Sequence, residues 1–196
     1  MYALPTYVEV NGKKYNIRQR GDYRIILDCF DTLNDVELSE DERVLASLLI
    51  FYNEFEDIED LPTDEETFVG LVQQMYWFMN VGSEDEAAGA HSDYTIIDWK
   101  HDENMITSAI NKVAGQEIRL VEYMHWWTFM GHFSAVGESM LATVVGIRSK
   151  IAKHEKLEKW EEKFKKDNPN YFIWRNVDLR VEEQQALLAE VWNVGR

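Results

Sequence analysis

The stretch Glu122-Tyr-Met-His-Trp-Trp-Thr-Phe-Met-Gly-His-Phe133 decides the fold, because it is the densest run of large apolar side chains in the sequence. On a helix, at about 100° per residue, most of its circumference is apolar. A helix of this kind is normally buried on several sides. We therefore predict a central core helix that continues to about Val136. Its fold-defining core residues are Trp126, Trp127, Phe129 and Phe133.

The same helical projection places a second set of residues on one apolar face. This face contains Leu120, Tyr123, Met124, Trp127, Gly131 and Ser134. Gly131 carries no side chain, so we expect another helix to approach closely there. The remaining narrow stripe is polar and contains His125, Thr128 and His132.

The residues that precede this helix predict a β-hairpin and three helices. Residues 7–17 alternate apolar and polar on both sides of Asn11-Gly12, a dipeptide suited to a tight hairpin turn. Asp22 is a candidate N-cap for a helix over residues 23–33. Capping-box patterns then announce two more helices, of which the second ends near Asn80 and Gly82. The two patterns are Ser39 with Glu42 and Thr63 with Glu66.

The second half of the chain predicts further helices. One begins after Asp98 or Asp102 and ends before Gly115. A short helix over Glu138–Gly146 is expected to turn Met140, Leu141 and Val144 inward. A charged helix over 150–166 rests on the seam of Leu157, Trp160 and Phe164. Beyond Pro169, an amphipathic helix is predicted over residues 178–192.

These elements predict a mainly α fold, a helical bundle with a small N-terminal β-hairpin. We expect residues 1–82 to form the hairpin and first helices, and 83–92 to form a mobile acidic linker. Residues 93–149 would hold the core helices, and 150–196 the charged helix and the amphipathic C-terminal helix. The chain is expected to be one domain overall.

The charge is unevenly distributed. The formal charge is -16, and residues 22–103 hold 23 acidic and 3 basic residues, a net of -20. Residues 147–166 hold 8 basic and 4 acidic residues, a net of +4. Because affinity for nucleic acid comes largely from Lys and Arg, this balance excludes a nucleic-acid partner. The acidic body and the basic segment are expected to attract each other or a partner.

Other features of the composition favour a soluble cytoplasmic protein. Cys29 is the only cysteine, which excludes an internal disulfide and a cysteine-rich zinc module. The N-terminus does not have the pattern of a secretory leader, and no apolar run approaches the length that spans a membrane. We therefore predict no membrane partner.

Little in the sequence predicts catalysis. Glu122 and His125 have the Glu-x-x-His spacing by which a di-iron site takes two ligands from one helix, but a second such pair is missing. Nucleophile elbows and phosphate-binding glycine loops are also missing. We predict no catalytic, metal or cofactor site, and we interpret the histidines as core or interface residues.

Candidate partner-binding residues lie elsewhere. Trp77 falls opposite the apolar face of its helix, where it meets a second layer or forms a contact surface. The C-terminal helix presents an apolar stripe that is also suited to a partner. The predicted binding residues are Trp77, Leu188, Val191 and Trp192.

The order of several short blocks resembles the gene-product-fifteen family of tailed bacteriophages. The most specific block is Tyr123-Met124-His125-Trp126-Trp127-Thr128-Phe129, followed by Ile147-Arg148-Ser149. The weaker blocks are the hairpin, Gly21-Asp22-Tyr23-Arg24, Tyr76-Trp77-Phe78-Met79-Asn80-Val81-Gly82 and Asp98-Trp99. The resemblance covers about residues 4–166. Met79 and Ile147 stand where the family pattern has Tyr, and residues 170–196 run past its usual end.

The resemblance implies a tail assembly chaperone that engages the tape-measure protein during tail tube formation in the host cell cytoplasm. It implies no cofactor and no catalytic residue. Other tail proteins and a second copy of the chain stay open as partners. A structural tail component that is retained in the virion is the alternative, and a metal-dependent helical enzyme is the least favoured.

Overall fold

The computed structural model describes residues 3–83 and 96–173, which are mainly helical. Strands β1 (Tyr7–Val10) and β2 (Lys13–Asn16) form the N-terminal hairpin. The helices are α1 (Tyr23–Leu33), α2 (Glu40–Phe51), α3 (Glu65–Met79), α4 (Glu103–Ala114), α5 (Trp126–Ser134), α6 (Met140–Ala152) and α7 (Lys159–Asp167). The predicted fold class, a helical bundle with a small hairpin, is confirmed.

The hairpin turns at the predicted dipeptide. Asn11 and Gly12 have φ angles of 51° and 75°, the left-handed region that this turn requires. The strands are antiparallel, with Val8 opposite Tyr15, and both of these side chains are buried. One face of the hairpin therefore belongs to the core, as its alternating pattern predicts.

The hairpin is fixed by contacts with α2 and α3. A Cβ atom at Gly70 would lie 2.6 Å from Cγ1 of Val10, so the glycine lets β1 approach α3 closely. Tyr15 meets Tyr52 edge to face, with ring centroids 6.1 Å apart. Two strands alone are marginal in water, and these contacts bury their apolar face.

The capping signals of the first helices act much as predicted. The Asp22 carboxylate accepts a hydrogen bond from the backbone of Arg24, which confirms it as the N-cap of α1. Ser39 and Glu42 form the predicted capping box of α2.

The predicted cap of α3 is wrong by one residue. Asp64, not Thr63, accepts from the backbone of Thr67, at 2.8 Å. A carboxylate is also favoured over a hydroxyl by the positive end of the helix dipole. At the other end, Gly82 has a φ of 78° and donates its N–H to the carbonyl of Trp77, as its position after the helix predicts.

Helix α5 is shorter than predicted. It begins at Trp126 rather than before residue 122, and it ends at Ser134 rather than near Val136. Residues 122–125 are not helical, because their backbone is held by the residues that precede α1, as described below.

The faces derived from a longer helix are therefore partly wrong. Leu120 is 83% exposed, and Tyr123 is also exposed, although both were assigned to an apolar face. His125 was assigned to the polar stripe and is buried. Among the described residues, nothing lies within 4 Å of the position that a Cβ of Gly131 would take, so none of the described helices makes the expected close approach there.

The boundaries predicted after Val136 are also wrong. The two elements expected at Glu138–Gly146 and 150–166 are instead α6, which continues to Ala152, and the short α7. The helical conformation is interrupted between α6 and α7, where His154 has a φ of 55°. Met140 is 47% exposed and Trp160 is 53% exposed, so neither has the inward position expected of it. Leu141 and Val144 are buried, as predicted.

The chain divides into two compact units. The first comprises Met1–Ala90 and Ile110–Ala135, and the second comprises His91–Ala109 and Val136–Arg196. The predicted linker falls almost wholly outside the described residues, so the predicted domain boundaries stay predictions. Within ranges 3–83 and 96–173, no helix combines the length and apolar character needed to cross a bilayer.

Candidate functional site

In the first unit, the segment before α5 pairs with the segment before α1. The backbone N–H of Tyr23 donates to the carbonyl of Met124 at 2.9 Å, and that of Trp126 donates to Gly21 at 2.8 Å. Asp22 and His125 face each other across this antiparallel bridge. Residues about 100 positions apart thus share a short ladder, which explains why α5 cannot begin earlier.

Asp22 joins the two segments through its side chain. Only 2% of the residue is exposed, and its carboxylate accepts from the backbone N–H groups of Arg24 and Met124, both at 3.0 Å. The guanidinium of Arg24 pairs with the same carboxylate and donates to the carbonyl of Val121 at 2.6 Å. A buried carboxylate that accepts four hydrogen bonds from three donor groups is stabilised by its position and serves the fold.

His125 uses both ring nitrogens on backbone groups. Nδ1 accepts from the N–H of Trp127 at 3.0 Å and so caps α5, which assigns the proton to Nε2. Nε2 lies 2.9 Å from the carbonyl of Pro5, to which it donates. Burial lowers the pKa of His125, because the charged imidazolium is poorly solvated there.

The geometry does not support the di-iron interpretation of Glu122 and His125. Glu122 is exposed and lies before the helix, so the two residues do not share a helical turn. Among residues 3–83 and 96–173, no cluster of three or more His, Cys, Asp or Glu side chains is arranged to hold a metal ion. Burial also raises the pKa of the Cys29 thiol, which disfavours the nucleophilic thiolate.

Two neighbouring tryptophans attach α5 to the end of α3. Nε1 of Trp126 donates to the carbonyl of Met79 at 2.8 Å, and Nε1 of Trp127 donates to Phe78 at 2.9 Å. Carbonyls in the last turn of a helix have no partner within it. The Trp126 indole satisfies that of Met79, whereas the Phe78 carbonyl also accepts from the N–H of Val81 at 3.1 Å. Trp126 is fully buried and stacks on Phe129, with ring centroids 5.4 Å apart.

The predicted core residues differ in burial. Trp126 and Phe129 are buried, whereas Trp127 and Phe133 are half-buried. Trp127 therefore has one side attached to α3 and one side open. It is partly a surface residue, which the helical projection of residues 122–133 does not indicate.

Trp127 also lies against Trp77 of α3, and we call these two residues the tryptophan pair. Their rings meet edge to face with centroids 5.5 Å apart, and both residues are half-buried. A Cβ atom at Gly82 would lie 3.0 Å from the Trp127 ring, so the glycine allows the ring to settle there. The other predicted binding residues, Leu188, Val191 and Trp192, lie outside the described residues.

In the second unit, a buried ion pair organises the chain. Arg148 and Asp102 are both buried, and Nη2 of the arginine lies 2.9 Å from Oδ1 of the aspartate. Arg148 also donates to the carbonyls of Ile96 and Tyr171, at 3.0 and 2.8 Å. One guanidinium thereby connects three separate segments, and its charge is compensated within the core.

The chain matches a known protein family over most of its length. The family described as Bacteriophage Gp15 protein matches residues 2–172. The chain belongs to this family. Searches of the curated proteins and of the solved structures found no match.

The structure brings together the short blocks on which the sequence resemblance rests. In the first unit, the blocks that begin at Gly21, Tyr76 and Tyr123 meet through the ladder, the Asp22 carboxylate and the indole hydrogen bonds. In the second unit, the block that contains Arg148 meets the segment after Asp98 through Asp102.

Sequence reasoning found these blocks but missed what joins them. The pairing of Asp102 with Arg148 spans 46 residues, and helical periodicity carries no signal for it. A usable signal is the arginine itself, because Arg148 lies on the same face of α6 as the buried residues Val144 and Ile147. A charge on a buried face predicts an ionic partner.

Proposed function

We propose that this Gp15 protein is a non-catalytic tail assembly chaperone that engages the tape-measure protein in the host cell cytoplasm. The observation that carries the proposal is the family match over residues 2–172, together with a partly open aromatic surface, the tryptophan pair. A long helical protein presents apolar stripes before it assembles, and an aromatic surface on a helical protein shields such stripes.

The tryptophan pair suits a partner because it is rigid. Trp127 is fixed by its hydrogen bond to Phe78, and Trp77 belongs to α3 itself. Little side-chain entropy is therefore lost when a partner covers the two rings. Tryptophan is also the residue type that most often dominates the binding energy of an interface.

The polar groups described above support a role in assembly rather than catalysis. His125, Asp22 and Arg148 are each buried, and each has its polar atoms committed to backbone groups or to an ion pair. Such groups hold segments together. They are poorly placed to exchange a proton with a substrate.

Coexpression with the tape-measure protein tests the proposal. The full chain would be captured through a tag, and the recovered tape-measure protein would be quantified for the wild type, Trp77→Ala and Trp160→Ala. Trp160 is 53% exposed and lies on α7 in the second unit, which makes it a matched control. Loss of a central interface tryptophan costs about 2 kcal/mol, so Trp77→Ala should lower affinity about 30-fold.

Trp160→Ala should bind as the wild type does. Thermal unfolding of each variant establishes that it is folded, and the truncation of Trp77 should itself cost only about 1 kcal/mol for the lost ring pair. Unchanged recovery with a folded Trp77→Ala variant would reject the tryptophan pair as the binding surface. Failure of the wild type to recover any tape-measure protein would reject the chaperone role.

Purified virions distinguish the chaperone from a structural tail component. A chaperone acts during assembly and is expected to be absent from finished particles. Quantitative mass spectrometry should then find this chain at well below one copy per particle. A fixed stoichiometric amount would favour the structural alternative and contradict the proposal.

A further inference from the structure

A groove opens in the second unit, where the end of α7 meets the 3-10 turn Pro169–Phe172. Its volume is about 540 Å³, enough for several side chains. It is lined by Leu157, Glu162, Lys165, Lys166, Pro169, Phe172 and Ile173. The groove thus combines an apolar floor with charged groups, among which the lysines outnumber the glutamate.

The wall of the groove is held firmly by the rest of the unit. The ring of Phe172 meets that of Phe164 edge to face, with centroids 6.2 Å apart. The buried Arg148 donates to the carbonyl of Tyr171, and Nε2 of His101 lies 2.9 Å from the carbonyl of Asn170. The groove is therefore a formed feature, and its apolar surface is partly open, since Ile173 is 58% exposed.

The chain itself supplies a segment that fits this groove. Residues 174–196 lie outside the described residues, and their sequence predicts an amphipathic helix over 178–192. Only residues 174–177 separate Ile173, in the groove wall, from the start of this helix. They span at most about 17 Å, so the effective concentration of the segment at the groove is about millimolar.

Charge and pattern are also complementary. The segment 178–192 has four acidic residues and one basic residue, a net of -3, whereas the charged residues that line the groove are two lysines and one glutamate, a net of +1. On a helix, Val181, Leu188 and Trp192 share one face at spacings of seven and four residues. Attraction across an apolar contact of this kind is strengthened by opposite charges at its rim.

We propose that residues 178–192 dock in this groove of their own chain. Leu188 and Trp192 enter between Leu157 and Phe172, and acidic side chains of the segment face Lys165 and Lys166. The apolar stripe of the segment is then covered in the free protein. A partner that binds this stripe must compete with the groove, which makes the C-terminal segment a regulated binding element. This inference does not depend on the chaperone role.

Disulfide trapping in the full-length chain tests the docking. A double variant, with Lys166→Cys and Leu188→Cys in one chain, places one thiol at the groove and the other on the segment 178–192. The control is Asp167→Cys with Leu188→Cys, because Asp167 is exposed and projects to another side of α7 at nearly the same distance along the chain. Cys29 is buried in both variants and does not compete.

At low protein concentration, the Lys166 variant should form an internal disulfide at least about tenfold faster than the Asp167 variant, since the bond requires Cα atoms within about 7 Å. Equal rates would overturn the proposal. A disulfide-linked dimer in place of the internal bond would also overturn it, because the groove would then belong to a second copy.

Binding in trans provides an independent readout. A fluorescent peptide of residues 178–192 would be titrated into the wild type and into the full-length variant Leu188→Asp with Trp192→Ala, whose own segment should leave the groove. The variant should bind the peptide at least about tenfold more tightly, and high salt should weaken that binding. Equal binding by both proteins, or binding by neither, would overturn the proposal.

Discussion

Trp126 donates its indole N–H to the carbonyl oxygen of Met79 across 2.8 Å, which fixes the start of α5 against the end of α3. Trp127 makes the equivalent bond to Phe78 at 2.9 Å, but it is half-buried. The two bonds have the same chemistry in different surroundings. A buried carbonyl that loses its donor is left unsatisfied, whereas the Phe78 carbonyl would still accept from the N–H of Val81 at 3.1 Å.

We expect Trp126→Phe to lower the free energy of unfolding by about 2 to 4 kcal/mol, through a lost hydrogen bond and a small cavity. Trp127→Phe should cost about 1 kcal/mol. Denaturant titration of the two variants measures the difference in the free energy of unfolding. An unchanged m-value, the slope of that free energy against denaturant concentration, would show that both variants still unfold in a two-state manner. Equal losses would contradict the distinction between the two indoles.

Gly21 provides a test of close packing at the ladder. A Cβ atom there would lie 2.5 Å from Cζ of Phe78, and the residue has a φ of 77°. Gly12 has nearly the same φ, 75°, and no atom of residues 3–83 or 96–173 lies within 4 Å of its Cβ position, so it is a matched control. Gly12→Ala should cost about 1 to 2 kcal/mol for backbone strain alone.

Gly21→Ala should lower the free energy of unfolding by the same backbone-strain cost as Gly12→Ala, plus about 1 to 3 kcal/mol for overpacking. Thermal or denaturant unfolding of the two variants separates overpacking from backbone strain, because the backbone strain is common to both. If Gly21→Ala cost no more than Gly12→Ala, the ring of Phe78 would have moved away freely, and the close contact would not be structurally important.

The local features of this fold could be predicted, whereas those that depend on distant partners could not. Asn11-Gly12 and the Ser39 capping box act within a few residues, so the sequence around them contains what they need. The start of α5 depends on Gly21 and Tyr23, about 100 residues earlier. Periodicity in residues 122–133 favours a longer helix, and the ladder overrides it.

The same reasoning applies to the candidate site. The position of Trp77 opposite the apolar face of α3 predicts either a second layer or a contact surface, and the residue is half-buried there. Its role as a contact residue stays a prediction. Its neighbour Trp127 could not be predicted as a surface residue, because its burial depends on where α5 begins. The signature block around His125 predicted the family correctly although the residues of the block serve the fold.

The Arg148 and Asp102 pair should show strong thermodynamic coupling. Arg148→Met leaves the buried carboxylate of Asp102 without its counterion, and Asp102→Asn leaves the buried guanidinium of Arg148 without its own. Each variant should therefore lower the free energy of unfolding by about 3 to 5 kcal/mol. The double variant should cost about 1 to 3 kcal/mol less than the sum of the two. It should remain less stable than the wild type, because the carbonyls of Ile96 and Tyr171 lose their donor.

A double-mutant cycle in denaturant measures this coupling. Additive losses would mean that the two side chains do not act as a pair. The exposed pair of Lys14 and Glu9, whose charged atoms are 3.7 Å apart, is a suitable control. Its cycle should give little coupling, because solvent screens charges at the surface.

His125 should make stability depend on pH below about 6.5, the pKa of an unperturbed imidazole. Burial lowers its pKa in the folded protein, so the unfolded chain binds the proton first as the pH falls. The stability contributed by the neutral ring is therefore complete above the unfolded pKa of about 6.5 and is lost at lower pH. Protonation of Nδ1 would also remove the acceptor that caps α5.

The variant His125→Asn isolates this effect, because its amide oxygen can still cap the helix but does not titrate. The carboxylate of Glu117, with a pKa lowered to about 2 by its bonds to Arg119, keeps its charge throughout this window. The other histidines are common to both proteins. Unfolding free energies measured from pH 7 to pH 5 should fall more steeply for the wild type than for the variant, and identical slopes would show that His125 does not titrate as its burial requires.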